Sequence, residues 1–190
     1  MRPAVFLDRD GTLIEEVEYL SRLEDMVLFP WTVDALRLLA RARFATVVVT
    51  NQSAVARGIV TEEFVRETHA ELESRLARGG AHIERYYFCP DHPDGTIDRY
   101  RRQSRCRKPQ PGMIEQAAAD LGLDVTRSWM VGDRWIDVET GVAAGTRAIL
   151  VRSGQASRLH EEAPPGVRAD AILNNLMEAV GWILRADTSR

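Results

Sequence analysis

The feature that most constrains the fold is a series of short, nearly continuous apolar segments that alternate with segments of helical periodicity. The apolar segments are rich in β-branched residues and lie at residues 4–8, 45–51, 83–89, 128–133 and 147–151. The helical segments lie at residues 31–41, 61–78, 111–121, 135–144 and about 175–185. Strands without polar alternation are typical of parallel sheets that helices cover on both faces. The sequence therefore predicts an α/β protein with an open, mostly parallel, Rossmann-like sheet, helices on both faces and right-handed crossovers.

The composition indicates a soluble protein without a nucleic-acid or membrane partner. The 190 residues suffice for one domain with a substantial core, and 45% of them are apolar. The net charge is −3 and the arginines are scattered, which argues against a nucleic-acid surface. No apolar segment approaches the roughly 20 residues of a membrane span, and no signal segment is evident. Because two cysteines do not make a disulfide framework, we expect a reduced, cytoplasmic location.

Two polar segments interrupt the alternation of strands and helices. Residues 13–30 form an acidic connection that ends in proline, and residues 90–110 form a long loop rich in Pro, Asp and Arg. Loops of that length in a compact domain are usually functional or disordered. A third polar segment at 153–166 links the last main strand to the C-terminal unit, and it is predicted to be a surface loop. The connections leave no room for a large cap domain, so we expect a single domain over residues 1–190 with an open site. Since no second chain is needed to complete that site, we expect a monomer.

Polar side chains stand where three of the predicted strands end. Asp8 follows the first strand, Thr50 and Asn51 end the second, and Asp133 follows the fourth. Ligands bind outside the carboxyl ends of the strands in an open parallel sheet, so these residues are expected at one edge. Asp10, two positions after Asp8, points the same way in an extended chain. Clustered carboxylates repel unless a cation joins them, and oxygen donors without histidine favour Mg²⁺ over zinc.

Simpler interpretations of these residues stay open at this point. Asp10 and Gly11 could merely form a turn, and the other aspartates could be helix caps. Lys108 precedes a predicted helix that Pro111 opens, where a lysine and helix N–H groups would stabilise an anion. A lone lysine is nevertheless more often a solvated surface residue. The metal site is favoured because it explains three carboxylates together.

Four motifs give the chain a resemblance to a known family. DRDGT at 8–12, Thr50-Asn51, Lys108 and GDRWID at 132–137 resemble, in order, the four motifs of the haloacid dehalogenase (HAD) superfamily of phosphotransferases. The segments TNQSAVARG, YYFCPDHP and CRKPQPGM are similar to one branch, the D-glycero-D-manno-heptose 1,7-bisphosphate phosphatases, to which histidinol-phosphate phosphatases are close. The P-loop pattern is absent, which excludes a P-loop nucleotide enzyme. The resemblance implies the HAD fold without a large cap domain.

The resemblance implies a chemical role for each motif residue. Asp8 would be the nucleophile that forms an aspartyl-phosphate, and Asp10 would be the general acid and then the general base. Mg²⁺ would be held by Asp8, the Asp10 backbone carbonyl and Asp133. Asp137 would support these ligands from behind, although a surface helix position is an equal alternative. Lys108 would counter the charge of the phosphoryl oxygens.

The resemblance also implies residues that bind the phosphate and the rest of the substrate. They are Gly11, Thr50, Asn51, Ser53, Arg57 and Arg107. Gly11 would allow a sharp turn, whereas Thr50 and Asn51 would hydrogen-bond the phosphoryl oxygens. Arg107 is the candidate for a second phosphate, because a guanidinium matches a phosphate with two parallel hydrogen bonds. The alternative for Arg107 is an ordinary surface arginine.

The loop before Lys108 departs from the pattern of this branch. Many members carry a structural zinc there, with Cys-x-His and then Cys-x-Cys directly before Arg-Lys-Pro. Here Cys89 is followed by Asp91 at the histidine position, His92 is displaced by one residue, and Ser104 replaces a cysteine before Cys106. Structural zinc requires four good nitrogen or sulfur ligands, so we expect no zinc. A site rescued from Cys89, Asp91, His92 and Cys106 is the alternative. If the loop folds back, the two sulfurs could oxidise in vitro, but a native bond is not expected in a cytoplasm.

The function implied is Mg²⁺-dependent hydrolysis of a phosphomonoester, with removal of the C7 phosphate of the heptose bisphosphate as the leading reaction. A histidinol-phosphate phosphatase is the alternative within the same chemistry. Arg105 and Arg107 beside Lys108 favour a phosphosugar with a second dianion over a substrate with an imidazole and an amine. A phosphometabolite-binding protein without activity ranks lower, because it predicts a missing nucleophile or acid and both Asp8 and Asp10 are present.

Overall fold

The computed structural model of the protein describes residues 1–154 and 162–188, and its centre is a parallel sheet. The strands are β1 (Ala4–Leu7), β2 (Ala45–Asn51), β3 (Arg85–Cys89), β4 (Trp129–Gly132), β5 (Arg147–Val151) and β6 (Ala171–Leu173). Within the described residues they form one six-stranded sheet in the order β3-β2-β1-β4-β5-β6, and every pairing is parallel. The predicted open parallel sheet is therefore confirmed. The sequence did not predict β6, because three residues are too short to show a pattern.

Helices connect the strands at positions close to those predicted. They are α1 (Thr32–Arg41), α2 (Ser53–Ala56), α3 (Glu62–Arg78), α4 (Gly112–Leu121), α5 (Trp135–Ala144) and α6 (Leu176–Thr188). Short 3-10 turns occur at Leu23–Asp25, Asp98–Tyr100 and Val125–Arg127. Thr61 begins α3 as expected, since its hydroxyl accepts a hydrogen bond from the Phe64 N–H at 3.1 Å. The four-residue helix α2 was not predicted, because one turn has no periodicity to detect.

The helices cover both faces of the sheet, as the apolar strands require. Val5 and Leu7 of β1 face a core cluster that α1, α3 and α6 complete, whereas Phe6 faces a second cluster with residues of α4. Helix α5 covers the second face near β5 through Trp135 and Val138. This alternation explains why no position of β1 is polar until the strand ends.

The order of the strands reverses beside β1. The chain passes from β1 to β2 and β3 on one side, and then crosses to β4 on the other side of β1. The two strand ends meet directly, because the Asp8 N–H donates to the Val131 carbonyl at 2.9 Å. The crevice at such a reversal is where open α/β sheets bind ligands.

Both polar segments are anchored to the body of the protein. In segment 13–30, Ile14 and Met26 are buried, and Arg75 of α3 donates to the Met26 carbonyl. In segment 90–110, Tyr100 is buried beside residues of α2 and α3. The polar segment at 153–166, which the sequence predicts to be a surface loop, lies partly outside the described residues. Among the described residues, no helix combines the length and apolar composition that crossing a bilayer requires.

Candidate active site

Three aspartates meet at the carboxyl ends of β1 and β4. Asp8, Asp133 and Asp137 each place one oxygen within 4.8 Å of the others, and all three are buried. Asp137 belongs to the first turn of α5, and its Oδ2 accepts from the Arg134 N–H at 3.0 Å, which caps the helix. A side chain on Gly132 would place its Cβ 2.3 Å from the Asp137 carboxyl, so this close approach requires glycine. The alternative of a surface position for Asp137 was wrong, because its exposed fraction is 0%.

Lys108 lies inside this carboxylate cluster. Its Nζ is 2.8 Å from Asp8 Oδ1 and 2.6 Å from Asp137 Oδ1, and its side chain is 2% exposed. The alternative of a solvated surface lysine was therefore wrong. Burial by itself would lower the pKa of Lys108, but the charges of Asp137 and Asp8 outweigh it and the pKa is raised. Lys108 accordingly stays protonated as a fixed positive charge.

Asn51 holds the backbone of Lys108 in place. The Asn51 Nδ2 donates to the Lys108 carbonyl at 3.1 Å, and the Lys108 N–H donates to Asn51 Oδ1 at 3.0 Å. The sequence analysis assigned Asn51 to the phosphoryl oxygens, whereas the structure gives its amide a reciprocal pair with residue 108. The end of β2 thus positions a lysine that is 57 residues away along the chain.

Carboxylates repel one another within this cluster. Burial raises the pKa of Asp8 to about 6, Lys108 opposes this rise, and Asp137 and Asp10 add to it. Lys108 contacts Asp8 and Asp137, and Asp133 lies close to both, so a further cation among the three carboxylates would reduce their mutual repulsion.

The residues present fit Mg²⁺. The donor atoms are carboxylate oxygens, which hard divalent cations prefer. The space beside Asp133 is kept free of side chains, since a Cβ on Gly11 or Gly154 would lie 2.5 Å or 2.2 Å from Asp133 Oδ2. Gly11 also has a φ of +77°, a conformation that L side chains rarely adopt.

Asp10 points to different partners. Arg9 donates to both of its carboxylate oxygens, with the shortest distance 2.9 Å from Nη2 to Oδ2. The Gln52 Nε2 also donates to Asp10 Oδ2 at 3.0 Å and to the Thr50 hydroxyl at 3.0 Å. The Asp10 side chain is 23% exposed, so it reaches the surface of the site.

These residues line a cavity of about 270 Å³. Of the residues predicted for the site, the cavity wall contains Asp8, Asp10, Thr50, Asn51, Ser53, Arg107, Lys108 and Asp133. Arg57 is exposed and lies outside this wall. The sequence analysis missed the remaining lining residues Arg9, Glu16, Val17, Glu18, Tyr19, Leu20, Gln52, Ala54, Arg134 and Ile136. Arg9, Gln52 and Arg134 lie inside the motifs that were recognised. Their positions next to the motif aspartates and to Thr50-Asn51 in the sequence could therefore have predicted them as lining residues.

Arginines make one part of the cavity strongly positive. Arg107 and Arg134 both line it, and the Arg107 Nη1 donates to the Asp91 carbonyl at 3.1 Å. Burial lowers the pKa of Arg107, and the nearby charges of Arg134 and Arg57 lower it further. An anion at this position would relieve that repulsion. Arg105 does not take part, because it pairs with Glu115 at 2.7 Å outside the cavity.

The loop before Lys108 is closed by a disulfide. Cys89 and Cys106 are bonded across a sequence separation of 17 residues, so the loop folds back and brings together the two sulfurs that were expected to come close in that case. Cys89, Asp91 and Cys106 do lie together, but the Asp91 carboxylate pairs with the Arg102 Nε at 2.9 Å. His92 uses its Nδ1 to accept from the Asp94 N–H at 3.0 Å. Two bonded sulfurs and one paired carboxylate do not fit structural zinc, which requires four free ligands.

Comparison with known proteins identifies the family. The model of the HAD-hydrolase-like family matches residues 105–179, a range that contains Lys108, Asp133 and Asp137. A D-glycero-β-D-manno-heptose-1,7-bisphosphate 7-phosphatase of Yersinia pestis is 40% identical over 93% of this chain and 92% of its own. The chain belongs to the heptose-bisphosphate phosphatase family of HAD-like hydrolases. A second member of that family, the 7-phosphatase of Chlorobaculum tepidum, is 39% identical over 98% of this chain and 96% of its own.

Solved structures give the same result for the fold. The D,D-heptose 1,7-bisphosphate phosphatase of B. bronchiseptica superposes with a TM-score of 0.83 at 26% identity, covering 98% of this chain and 99% of its own. That crystal structure is a complex with magnesium and phosphate. The resemblance inferred from the motifs is therefore confirmed at the level of the family.

Proposed function

We propose that this protein is a Mg²⁺-dependent phosphatase that removes the C7 phosphate of D-glycero-D-manno-heptose 1,7-bisphosphate. The observation that carries the proposal is the contact of buried Lys108 with Asp8 and Asp137, beside Asp133, in a cavity that further arginines line. A nucleophile, a fixed cation and a set of metal ligands thus surround one position for a phosphoryl group. The names of two relatives at 40% and 39% identity support the choice of the sugar.

Asp8 and Asp10 divide the chemistry between them. A carboxylate oxygen of Asp8 attacks phosphorus, the bond from phosphorus to the sugar oxygen breaks, and that oxygen takes a proton from Asp10. Water then attacks the phosphorus of the aspartyl-phosphate, Asp10 accepts the proton of that water, and the Asp8 carboxylate is released with inorganic phosphate. Lys108 remains charged during both steps, because its carboxylate partners raise its pKa.

The carboxylate cluster is assigned to the metal. When bound, Mg²⁺ supplies positive charge that neutralises the phosphoryl oxygens. Asp8, Asp133 and the backbone carbonyl of Asp10 would hold it. Asp137 keeps Lys108 in place and caps α5, so it acts on the metal ligands only indirectly. Thr50 and Ser53 line the same cavity and offer hydroxyl groups to the phosphoryl oxygens.

The second phosphate of the substrate is assigned to the arginines. Arg107 is held from behind by the Asp91 carbonyl, and Arg134 lies close enough to lower its pKa. Two guanidinium groups facing one cavity suit a dianion better than an imidazole or an amine. This observation ranks the heptose bisphosphate above histidinol phosphate as the substrate.

The test is phosphate release with Mg²⁺ from three esters: the heptose 1,7-bisphosphate, the heptose 7-phosphate and histidinol phosphate. We expect the bisphosphate to have the highest kcat/KM. Arg107→Gln should raise the KM for the bisphosphate by about tenfold, because hydrogen bonds to charged groups contribute about 1.5–3 kcal/mol. The same variant should leave the KM for the 7-phosphate unchanged.

Arg105→Gln is the matched control for this test. Arg105 is an exposed arginine two residues away that pairs with Glu115, so its loss should leave all three KM values unchanged. A higher kcat/KM for histidinol phosphate would overturn the choice of substrate. Equal effects of the two arginine variants would overturn the assignment of Arg107.

The proposal extends to the state of the protein in the cell. We infer a cytoplasmic, single-domain monomer that binds no nucleic acid and no membrane, and whose loop before Lys108 contains no zinc. Metal analysis of protein purified without chelators should then find less than about 0.1 zinc per chain, where an intact four-ligand site would give about 1. Light scattering should give the monomer mass of 21.4 kDa.

A further inference from the structure

Arg9, the residue between the two motif aspartates, is a buried cation that the proposed chemistry does not use. Its side chain is 2% exposed. Its Nε and Nη2 contact both oxygens of Asp10 at 2.9–3.3 Å, and Nη2 also donates to Gln52 Oε1 at 3.0 Å. Burying a guanidinium is costly unless it is paired, and the ion pair recorded for Arg9 among the described residues is with Asp10. The cost of burying Arg9 therefore suggests that this arginine has a role in the site.

Arg9, Gln52 and Asp10 form a closed ring of hydrogen bonds. Gln52 accepts from Arg9 through Oε1, and it donates through Nε2 to Asp10 Oδ2 at 3.0 Å and to the Thr50 hydroxyl at 3.0 Å. The carboxylate of Asp10 is thus fixed from two strand ends, since Arg9 follows β1 and Gln52 follows β2. A carboxylate has about four acceptor positions, and the Arg9 Nε, the Arg9 Nη2 and the Gln52 Nε2 occupy three of those on Asp10, so about one position remains to exchange a proton with a substrate.

His69 of α3 supports Arg9 on its far side. The Arg9 Nη1 is 3.4 Å from His69 Nε2, and the His69 ring stacks on Tyr86 with centroids 4.8 Å apart. A guanidinium can only donate, so His69 Nε2 is the acceptor and the ring is neutral. Burial and the charge of Arg9 lower the pKa of His69 to about 3, although Asp10 opposes this. Because the His69 ring packs against Tyr86 and Phe88, it supports the Arg9 guanidinium on the side opposite Asp10.

We propose that Arg9, supported by His69 and tied to Gln52, is a positioning residue that orients the Asp10 carboxylate for proton transfer to the leaving oxygen. The inference rests on the proposed function, in which Asp10 is the acid and then the base. A carboxylate that rotates freely spends less time facing the leaving oxygen, and misplacement of a catalytic group slows the reaction steeply. What Arg9 adds to the first step is therefore the orientation of this carboxylate.

The test compares two leaving groups. The value of kcat/KM reports the steps up to departure of the leaving group, and p-nitrophenolate leaves without a proton whereas a sugar alkoxide needs one. Arg9→Met should lower kcat/KM for the heptose bisphosphate by about tenfold to a hundredfold, which does not exceed the roughly hundredfold lower bound for general acid catalysis, because Asp10 itself is still present. It should lower kcat/KM for p-nitrophenyl phosphate by less than about threefold. Arg9→Lys should recover part of the loss.

Two further comparisons separate orientation from general damage. Arg75→Met removes another partly buried arginine, one that pairs with Glu71 of the same helix and ties α3 to loop carbonyls, and it should leave the ratio of the two kcat/KM values unchanged. His69→Leu removes the acceptor behind Arg9 and should lower kcat/KM for the sugar ester selectively. His69→Gln offers an acceptor in nearly the same place and should restore it. These variants decide the question even if Arg9→Met does not fold.

The outcomes distinguish this inference from the proposed function. Equal losses on the two esters, or no loss on either, would overturn the role of Arg9 while the enzyme remained a phosphatase. Wild-type protein that hydrolyses p-nitrophenyl phosphate but not the bisphosphate would overturn the choice of substrate. In that case the comparison would be run with the alkyl phosphate that is hydrolysed best. Wild-type protein that hydrolyses neither ester would overturn both proposals.

Discussion

Two regions of the molecule bury acidic side chains, and they compensate the negative charge in different ways. At the ends of β1 and β4, Asp8 and Asp137 both contact the buried Lys108, and Asp133 places an oxygen within 4.8 Å of theirs. In the loop before that lysine, Asp91 is just as buried, and its Oδ2 lies 2.9 Å from the Arg102 Nε. The first region brings several carboxylates together, whereas the second pairs one carboxylate with one arginine.

The difference separates a site built for ligands from a structural one. Clustered buried carboxylates repel one another, and the repulsion falls when a cation enters, so such a cluster marks a place where stability is given up for binding. A balanced pair next to a disulfide needs no ligand and keeps the loop in one conformation. The loop then presents Arg107 and Lys108, which directly follow Cys106, to the cavity.

The largest expected difference between the two regions is in catalytic activity, measured after one aspartate in each region is neutralised. Asp8→Asn should lower phosphate release by at least about a thousandfold, because no other group in the site is placed to form the acyl-phosphate. The folded protein should persist, since the change reduces repulsion within the cluster. Activity and circular dichroism measured on the same preparation check both statements.

Asp91→Asn is the matched change in the loop. It should keep kcat within about threefold, and should lower the free energy of unfolding by about 1–3 kcal/mol, because the hydrogen bond from Arg102 loses its charged acceptor. Wild-type activity in Asp8→Asn would remove Asp8 as the nucleophile. A thousandfold loss in Asp91→Asn would show that the loop is part of the chemistry, and the contrast between the regions would disappear.

The next effect concerns the bond that closes the loop. Reduction of Cys89–Cys106, or its removal by Cys106→Ser, should lower the free energy of unfolding by about 3 kcal/mol, the value expected for a closed loop of about 17 residues. Urea unfolding with and without a reductant measures it. Lys108 should stay in place, because Asn51 holds its backbone independently of the loop. Free thiols in protein purified without a reductant would contradict the bond.

Mg²⁺ should distinguish the two regions by its effect on stability. Binding to the folded state at 100 times the dissociation constant stabilises a protein by about 2.7 kcal/mol, so the melting temperature should rise with Mg²⁺ and fall with EDTA. Asp133→Asn should abolish this response, whereas Asp91→Asn should keep it. A response that survives in Asp133→Asn would place the cation elsewhere.

The sequence was sufficient for the strands and for the carboxylates at their ends. Five strands were predicted nearly residue for residue, because a strand buried on both faces shows itself as a run of β-branched residues. Asp8 and Asp133 could be brought together from 125 positions apart, since the carboxyl ends of parallel strands meet at one edge. The order of the four motifs then placed Lys108 in the same site.

The contacts that orient these groups were not predictable in the same way. The pairing of Asn51 with residue 108 and the stacking of His69 behind Arg9 depend on how distant segments pack, and no periodicity records them. Arg105 and Arg107 were both counted in favour of a substrate with a second phosphate. In the structure Arg105 pairs with Glu115, whereas Arg107 lines the cavity. Orientation of side chains by tertiary contacts is thus the part that only the structure supplied.

The smallest expected effect concerns screening by solvent. Water should screen the charge of Arg102 in the loop, but not the charge of Lys108 in the site. Arg102 is 64% exposed although its partner is buried, whereas the Lys108 side chain is 2% exposed. Arg102→Gln removes a charge that solvent reaches but keeps an N–H donor for Asp91, so it should cost less than about 1 kcal/mol of unfolding free energy. Raising the salt concentration to about 1 M, where the Debye length is about 3 Å, should remove most of that difference between variant and wild type. Lys108→Met, by contrast, strands two buried carboxylates, so its effect on stability without Mg²⁺ should be insensitive to salt. If the two variants respond to salt alike, the distinction between a solvated pair in the loop and a desolvated cluster in the site is wrong.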